Sequence, residues 1–252
     1  MTNQSFLADP AEVQAAQVGS SFLLTGPEAR HAGTVKRMAP GELMDVVDGL
    51  GHRLTGRVET TGSSAVSLTV LSVGFEPRHS GRLVLVQGLA KGDRSELAIE
   101  AATELGVDGV LPWQADRSIA RWRHDKTVKG RQKWEATVRG AAKQSRRAWI
   151  PDVLEPRNSK ELVGWLEAAD LAVVLHEEAQ WPLSRCFTEA PAAAHSGVIA
   201  VVVGPEGGIS PQEIAAFESA GAVTATLGAN VLRASTAGPA ALALLNHLLG
   251  RW

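Results

Sequence analysis

The sequence predicts an α/β chain in which a parallel, doubly wound sheet follows a small β-rich part. Three observations carry this. Residues 1–74 hold short apolar/polar alternations broken by turn signals, the pattern of half-buried strands. Beyond a stretch at residues 75–81 that contains Pro77 and Gly81, the rhythm changes to strands alternating with helices. Finally, Val198–Val203 is continuously apolar and mostly β-branched, as a strand buried on both faces must be.

Taken in order, residues 42–47, 53–59 and 65–73 are predicted strands, with turns at Asp48-Gly49 and Thr61-Gly62, and together they suit a compact antiparallel barrel. Residues 75–81 read as a linker, so the parts are residues 1–74 and 75–252. A strand at 83–89 precedes a helix that Asp93 and Glu96 would open as a capping box and Gly106 would end. Further strands are predicted at 107–111 and at Leu171–Leu175, and helices over 126–145 and 159–168. Residues 190–196, rich in Ala and Pro, read as a connecting loop. After Val198–Val203, Ser210, Pro211 and Glu213 fit the N-cap, first-turn proline and capping-box positions of a helix ending near Gly221. Residues 222–227 suit a short strand. Ser235 or Thr236 would cap the last helix with Pro239 in its first turn. That helix is apolar almost all round, interrupted by Asn246 and His247, so it must be buried on several sides.

Composition narrows the function classes. At 252 residues and 44% hydrophobic content the chain can bury a sizeable core. Its one cysteine, Cys186, excludes an internal disulfide framework and a cysteine-based zinc cluster, and no metal site is expected. There is no run of about 18 apolar residues and no evident signal peptide, so a soluble cytoplasmic protein is expected. The formal net charge of −2 hides a segregation: residues 116–150 carry 11 Lys/Arg against 3 Asp/Glu, whereas residues 151–220 carry 3 against 11. The basic block could steer a polyanion or be a solvated helix face; Trp122, Trp134 and Trp149 are interleaved in it and could stack on bases, although tryptophans so placed are more often packing residues.

The chemistry is expected at two loops that follow successive strands, GPEGGIS (204–210) and LGANVLRASTAG (227–238). Both fall at the carboxyl ends of strands, where open α/β sheets bind ligands. Gly204, Gly207 and Gly208 let a ligand approach main-chain groups. No Lys-Ser/Thr follows the glycines and no GxGxxG pattern is present, which argues against a phosphate cradle and for a backbone-lined pocket suited to a nucleoside or another flat, hydrogen-bonding ligand.

GPEGG followed by LGxxxLRxxTA resembles the RsmE family of 16S rRNA uridine-N3 methyltransferases, within the SPOUT (trefoil-knot) superfamily. The resemblance covers nearly the whole chain in order: His31 with KRMAPGE (36–42), Asp48-Gly49, QGLAKGDRSE (87–96), ELGV (104–107), DRS (116–118), Lys133-Trp134, QSR (144–146) and LHE (175–177). It implies a PUA-like RNA-binding barrel over 1–74. Over 75–252 it implies a SPOUT domain with a deep trefoil knot that binds S-adenosyl-L-methionine, dimerises and catalyses methyl transfer. The implied cofactor site comprises Leu175, His176, Glu177, Gly204, Pro205, Gly207, Gly208, Leu227, Gly228, Leu232, Thr236 and Ala237. On this reading Arg233 stabilises negative charge on the uracil carbonyls, and Glu206 is either a base or a residue that holds its loop; His176 is a further candidate base. Arg30, Arg37, Lys91, Arg94, Arg117, Arg121, Arg139 and Arg146 are the candidates for gripping RNA, with His31 beside the first two. The implied partners are 16S rRNA in the small ribosomal subunit, in a ribosome-biogenesis role, and a second copy of the chain. Asn230 and Ser235 stand where the family often has an arginine and a glutamate. Two other readings fit the same loops: another SPOUT methyltransferase acting on a ribose 2′-hydroxyl or a tRNA base, and a non-catalytic RNA-binding assembly factor.

Overall fold

The computed structural model describes residues 3–252, without the side chain of residue 193. The chain divides into two compact units: one ends at Arg78 and also takes in Ala142–Ile150, and the other comprises His79–Ala141 and Pro151–Trp252.

The first unit contains β1 (Gln4–Leu7), α1 (Pro10–Ala15), β2 (Ser21–Thr25), α2 (Gly26–Arg30), a π-helical turn (His31–Val35), β3 (Leu43–Val47), β4 (His52–Thr61) and β5 (Ala65–Phe75). They form a five-stranded sheet in the order β1-β3-β4-β5-β2. The expected all-antiparallel pairing is corrected at β1, which runs parallel to β3 with Gln4 opposite Met44. Asp9 causes this, since it ends β1 and caps α1 through the Ala11 amide, so the chain turns into a helix instead of a hairpin. Phe6 from β1 and Phe22 and Leu24 from β2 point into one core with Met44, Leu54 and Leu68, so the sheet curls around that core. β1 and β2 are not paired with each other among the described residues.

Asp48 organises the turn between β3 and β4. Its buried carboxylate accepts from the amides of Leu50 (2.7 Å) and His52 (3.0 Å), from Gln14 Nε2 (3.1 Å), and bonds His52 Nδ1 (2.8 Å). The resulting loop, with Gly49 at φ +78, receives Ala142–Ile150: the Ile150 amide donates to Gly49 and the Gly51 amide to Ala148. Trp149 donates its Nε1–H to the Glu76 carbonyl, and Phe75 meets its ring edge-on.

The second unit runs β6 (Arg82–Gly88), α3 (Arg94–Glu104), β7 (Gly109–Gln114), α4 (Asp125–Gln144, whose last turn enters the first unit), β8 (Asp152–Val153), β9 (Arg157–Asn158), α5 (Ser159–Glu167), β10 (Leu171–Leu175), α6 (Leu183–Thr188), a 3₁₀ turn (Ala192–Ser196), β11 (Val198–Val203), α7 (Pro211–Ser219), β12 (Val223–Ala225) and α8 (Ala234–Leu248). The sheet is parallel, ordered β12-β10-β11-β6-β7-β8, with β9 also on β7. Val84, Val86, Val174, Ala200 and Val202 pack with Leu162 and Leu166 of α5 and Phe217 of α7, while α3 and α8 pack on the sheet at β6. Trp134 is fully buried and meets Trp122 edge-on, so these two tryptophans are packing residues.

The capping box of α7 forms as expected, but two other caps do not. Asp93 has φ −104 and ψ 8, which is not the extended geometry a side-chain cap requires, and Glu96 instead pairs with Lys133 at 2.8 Å. Helix α8 begins at Ala234 with Arg233 at the N-cap, so neither Ser235 nor Thr236 caps it and Pro239 is its sixth residue. Gly238 beside it lies so close to β6 that a Cβ would meet Leu85 Cδ1 at 2.8 Å. Asn246, buried within the apolar helix, donates to the Leu105 carbonyl (2.6 Å) just past the end of α3.

The ends of β10, β11 and β6 open on one side, and β11 and β6 are neighbours whose chains proceed in opposite directions across the sheet, a topological switch point. Thr226, leaving β12, is held by a strap: its amide donates to Trp181 and its carbonyl accepts from Leu183, both at 2.9 Å. Burial alone would raise the Asp48 carboxyl, but its hydrogen bonds from Gln14, Leu50 and His52 outweigh this and hold it below its ordinary value of 3.8. Its contribution to stability is therefore present above that pH and is lost as pH falls through the lower folded value. Asp48→Ala should cost about 1–3 kcal/mol by stranding buried donors, read as a lower denaturation midpoint with hydrogen-exchange protection lost at β3 and β4.

Candidate active site

Beyond Val203, the chain turns through Gly204–Ser210 at the switch point. Gly88, at the end of β6, lies so close that a Cβ there would meet Pro205 N at 2.7 Å, and one on Gly204 would meet Ile209 Cγ1 at 2.7 Å. Gly207 faces Arg117, where a Cβ would meet the Arg117 carbonyl oxygen at 2.9 Å and Cβ at 3.0 Å, and Gly208 has φ +72. A side chain at Gly88, Gly204 or Gly207 would force a neighbour to shift, and one at Gly208 would be strained by its backbone conformation.

The loop forms one wall of a cavity of about 870 Å³. Of the residues the sequence singled out, Leu175, His176, Glu177, Gly204, Pro205, Glu206, Gly207, Gly208, Leu232, Arg233 and Ala237 come together here. Leu227 and Gly228 line an adjoining cavity of about 130 Å³ that shares Leu175, His176, Glu177, Val231, Leu232 and Ala237 with the first. Asn230 lines this smaller space, whereas Thr236 and Ser235 line neither. Thr236 instead donates its amide to the Arg233 carbonyl in the first turn of α8. Glycine and aliphatic residues thus line much of both cavities, and the larger one also carries the charged side chains of Arg94, Arg117, Glu177, Glu206, Glu218 and Arg233.

Sequence reasoning missed the wall contributed by α7, where Pro211, Ile214, Ala215 and Glu218 face the large cavity. Their spacing of three and four is the signal that marks one helix face. Arg94 and Arg117, singled out for RNA, prove to line the same cavity.

Glu206 reaches across to the β6–α3 connection. It accepts from the Lys91 amide (3.1 and 3.3 Å) and pairs with Arg94 at 2.9 Å. Burial pushes its carboxyl up, but backbone amides and the Arg94 guanidinium outweigh this and hold it below the ordinary carboxylate range. The group is thus ionised at neutral pH and a weak proton acceptor. His176 Nδ1 accepts the Glu178 amide at 3.3 Å, which leaves Nε2 to carry the proton of the neutral ring. Arg233, exposed at the N-cap of α8, makes no side-chain hydrogen bond or ion pair among the described residues, so its guanidinium is available to a ligand.

Of the other cationic candidates in the second unit, Lys91, Arg121 and Arg139 do not line the cavity. Arg121 donates to the Asp116 carbonyl (2.6 Å). Arg139 is exposed on α4. Arg30, Arg37 and Arg146 belong to the first unit, and Arg37 and Arg146 have positive φ (53 and 59). His31, beside Arg30, is held below its ordinary value by burial and by Lys143.

A family model described as an RNA methyltransferase domain matches residues 77–246, and one described as an RNA methyltransferase PUA domain matches residues 24–71. A protein of Mycobacterium bovis named ribosomal RNA small subunit methyltransferase E is 44% identical over 238 residues, 93% of this chain and 89% of the relative. The protein of that name from Bacillus subtilis is 29% identical over 90% of each. The crystal structure of a ribosomal RNA small subunit methyltransferase E from Neisseria gonorrhoeae bound to S-adenosyl methionine superposes with a TM-score of 0.83 at 26% identity, covering 98% of both chains.

Gly207→Ala should displace the Arg117 backbone and lower stability by about 1–3 kcal/mol, as overpacking does. By contrast Gly140→Ala, in α4 with nothing within 4 Å of a Cβ, should raise stability by up to about 1 kcal/mol through helix propensity. Chemical denaturation of the two variants checks the pair of signs.

Proposed function

The chain belongs to the ribosomal RNA small subunit methyltransferase E family, and from that premise we propose that it transfers a methyl group from S-adenosylmethionine to N3 of a uridine in 16S rRNA of the small ribosomal subunit. The observation that carries the reading is the cavity at the switch point, built on the close-packed glycines of the 204–208 loop and lined by the guanidinium of Arg233, which has no side-chain partner among the described residues.

The donor set suits this cofactor. An adenosyl group needs main-chain partners and aliphatic walls, which Gly204, Pro205, Gly207, Gly208, Leu227 and Gly228 supply with Leu175, Leu232 and Ala237, while His176 and Glu177 offer polar groups. When bound, S-adenosylmethionine supplies an activated sulfonium methyl. The chain's own task is to place the acceptor nitrogen in line with that carbon, and positioning of this kind can be worth up to about 7–11 kcal/mol.

Uracil N3 carries a proton at neutral pH, so its anion must be stabilised. Arg233 is assigned that role, with its guanidinium donating to the uracil carbonyl oxygens as negative charge develops. Glu206 is assigned the holding of its loop against Lys91 and Arg94, which its lowered carboxyl favours over general-base work. The base must be reached unstacked. Arg94 and Arg117 at the cavity, with Lys91, Arg121, Arg139, Arg146, Arg30 and Arg37, are assigned to rRNA phosphate.

The deep trefoil knot belongs to this proposal. The chain leaves β12 at the sheet edge, passes the Trp181–Leu183 strap, and returns to α8 on β6 and β11, as a threaded path requires. A homodimer is proposed from α8, where Ala240, Ala243, Leu244 and Leu248 form a half-exposed apolar stripe beside the buried face. A cytoplasmic location follows from the proposed ribosomal substrate; no helix among the described residues is long and apolar enough to cross a membrane.

The test is methyl transfer from labelled S-adenosylmethionine to small subunits lacking the modification, followed by nucleoside mass spectrometry. 3-Methyluridine is the expected product; a different methylated nucleoside overturns the specificity, and absence of both transfer and cofactor binding favours a non-catalytic RNA-binding factor. Arg233→Ala should lower turnover by about 100-fold, the scale of a lost oxyanion donor, while cofactor affinity by calorimetry stays within a few-fold. Charge reversal at Arg139 and Arg146 should weaken RNA binding and flatten the logarithmic salt slope by about 0.7–0.9 for each phosphate no longer neutralised.

A further inference from the structure

We propose that Glu213 is a positioning residue that ties the cofactor loop to the loop carrying Arg117, so that the grip on RNA is set through a buried carboxylate below the cavity. The inference rests on the rRNA methyltransferase reading above and assigns a residue to the coupling between its two ligands.

A capping box requires of its acidic member one bond, to the N-cap amide, and Glu213 Oε2 makes it by accepting the Ser210 amide at 2.8 Å. Glu213 does more. It is only 3% exposed, and Oε1 accepts the Asp116 amide at 2.8 Å and the Ser159 hydroxyl at 2.5 Å. Those donors lie 97 and 54 residues away in the chain, on the loop after β7 and in the first turn of α5. Trp113 Nε1 donates in turn to Ser159 Oγ at 3.2 Å. Both carboxylate oxygens are thus engaged, by three separate segments.

The residue next to Asp116 is Arg117. Its guanidinium reaches the Gly207 carbonyl at 3.3 Å, and its backbone lies against Gly207. The two loops therefore meet at two long hydrogen bonds, Arg117 to the Gly207 carbonyl and Ser210 Oγ to Asp116 Oδ2 (3.4 Å), and at charge-assisted bonds to a buried carboxylate. Buried charge-assisted bonds are the stronger kind, and exposed ones are diluted by water. The Asp116 anchor, and not the Gly207 contact, fixes where the Arg117 backbone starts.

Glu213→Gln keeps the shape but replaces one acceptor oxygen with an NH₂ group, which must then face either the Ser210 or the Asp116 amide, donor against donor. One bridge is broken in either orientation. With the full-length enzyme and small subunits as substrate, the expected result is a KM for the subunit raised about tenfold with kcat little changed, the pattern of lost uniform binding. Cofactor affinity, measured by calorimetry without RNA, should stay within about threefold, well short of a tenfold, 1.4 kcal/mol loss. Arg117→Ala should raise KM similarly, and the double variant should match Arg117→Ala alone, because both remove the same coupled interaction.

Ser159→Ala strips a donor from the same carboxylate without touching either loop, so its KM should equal that of the wild type. Asp116→Pro deletes the bridging N–H together with the long Asp116 contact to Ser210 Oγ and leaves the capping box; with Asp116→Ala, which removes that contact alone, as its control, it carries the same expectation should Glu213→Gln fail to fold. An unchanged KM in the folded bridge variant, additive effects with Arg117→Ala, or an equal rise in Ser159→Ala would each overturn the inference. A wild-type enzyme that transfers no methyl group would instead overturn the underlying functional reading.

Discussion

The pairing of β6 with β11 is the constraint on which the rest of the second unit depends. The register places Gln87 opposite Val203, so the two strands end together and their outgoing connections start side by side. Gly88 then stands so close to Pro205 that a Cβ on it would force one of the two to shift. This approach creates the crevice and also brings Glu206 within reach of the Lys91 amide. A slip of one residue would turn Ala200 and Val202 away from the face they share with Val84 and Val86, and the packing of α5 and α7 would go with them.

The cavity follows from that arrangement as a balance of fixed and free groups. Glu206 is engaged by a guanidinium and an amide, and Glu213 is saturated beneath the floor. Arg233, by contrast, stands at a helix N-cap without a side-chain partner among the described residues. The cavity thus combines charges that the protein already satisfies with a guanidinium that is open to a ligand, the balance a preorganised site needs.

Much of this was legible in the sequence, and the division between what was and was not is physical. Val198–Val203 and the Ser210/Glu213 box are short-range patterns, set by burial on two faces and by orphan amides at a helix start, so local reading finds them. The same reasoning failed at Asp93, because a capping pattern says nothing about the backbone dihedrals of the cap, and Lys133 competes for Glu96. The strands β1 and β2 were not predicted; with four and five residues beside helical turns, they carry too few alternations to stand out. The residues of the 204–210 loop were legible because its glycines announce close approach, and those of the 227–238 loop through the LGxxxLRxxTA pattern, since Gly228 has open space around it. The partners that hold those loops, Asp116 and Ser159 on Glu213 and Lys91 on Glu206, come from distant segments and leave no local signature.

The strap at Thr226 has a consequence for how the molecule comes to be formed. Thr226 is held by Trp181 and Leu183, and the helix that follows must seat on β6, β11, α3 and α6, every one of them made earlier. Seating that helix therefore closes interactions across most of the second unit at once. Such high contact order makes the step slow, because loop-closure entropy is spent before the reward arrives. Until it is complete the apolar surface of α8 is bare, so the newly made chain is most exposed to aggregation at its last stage of assembly.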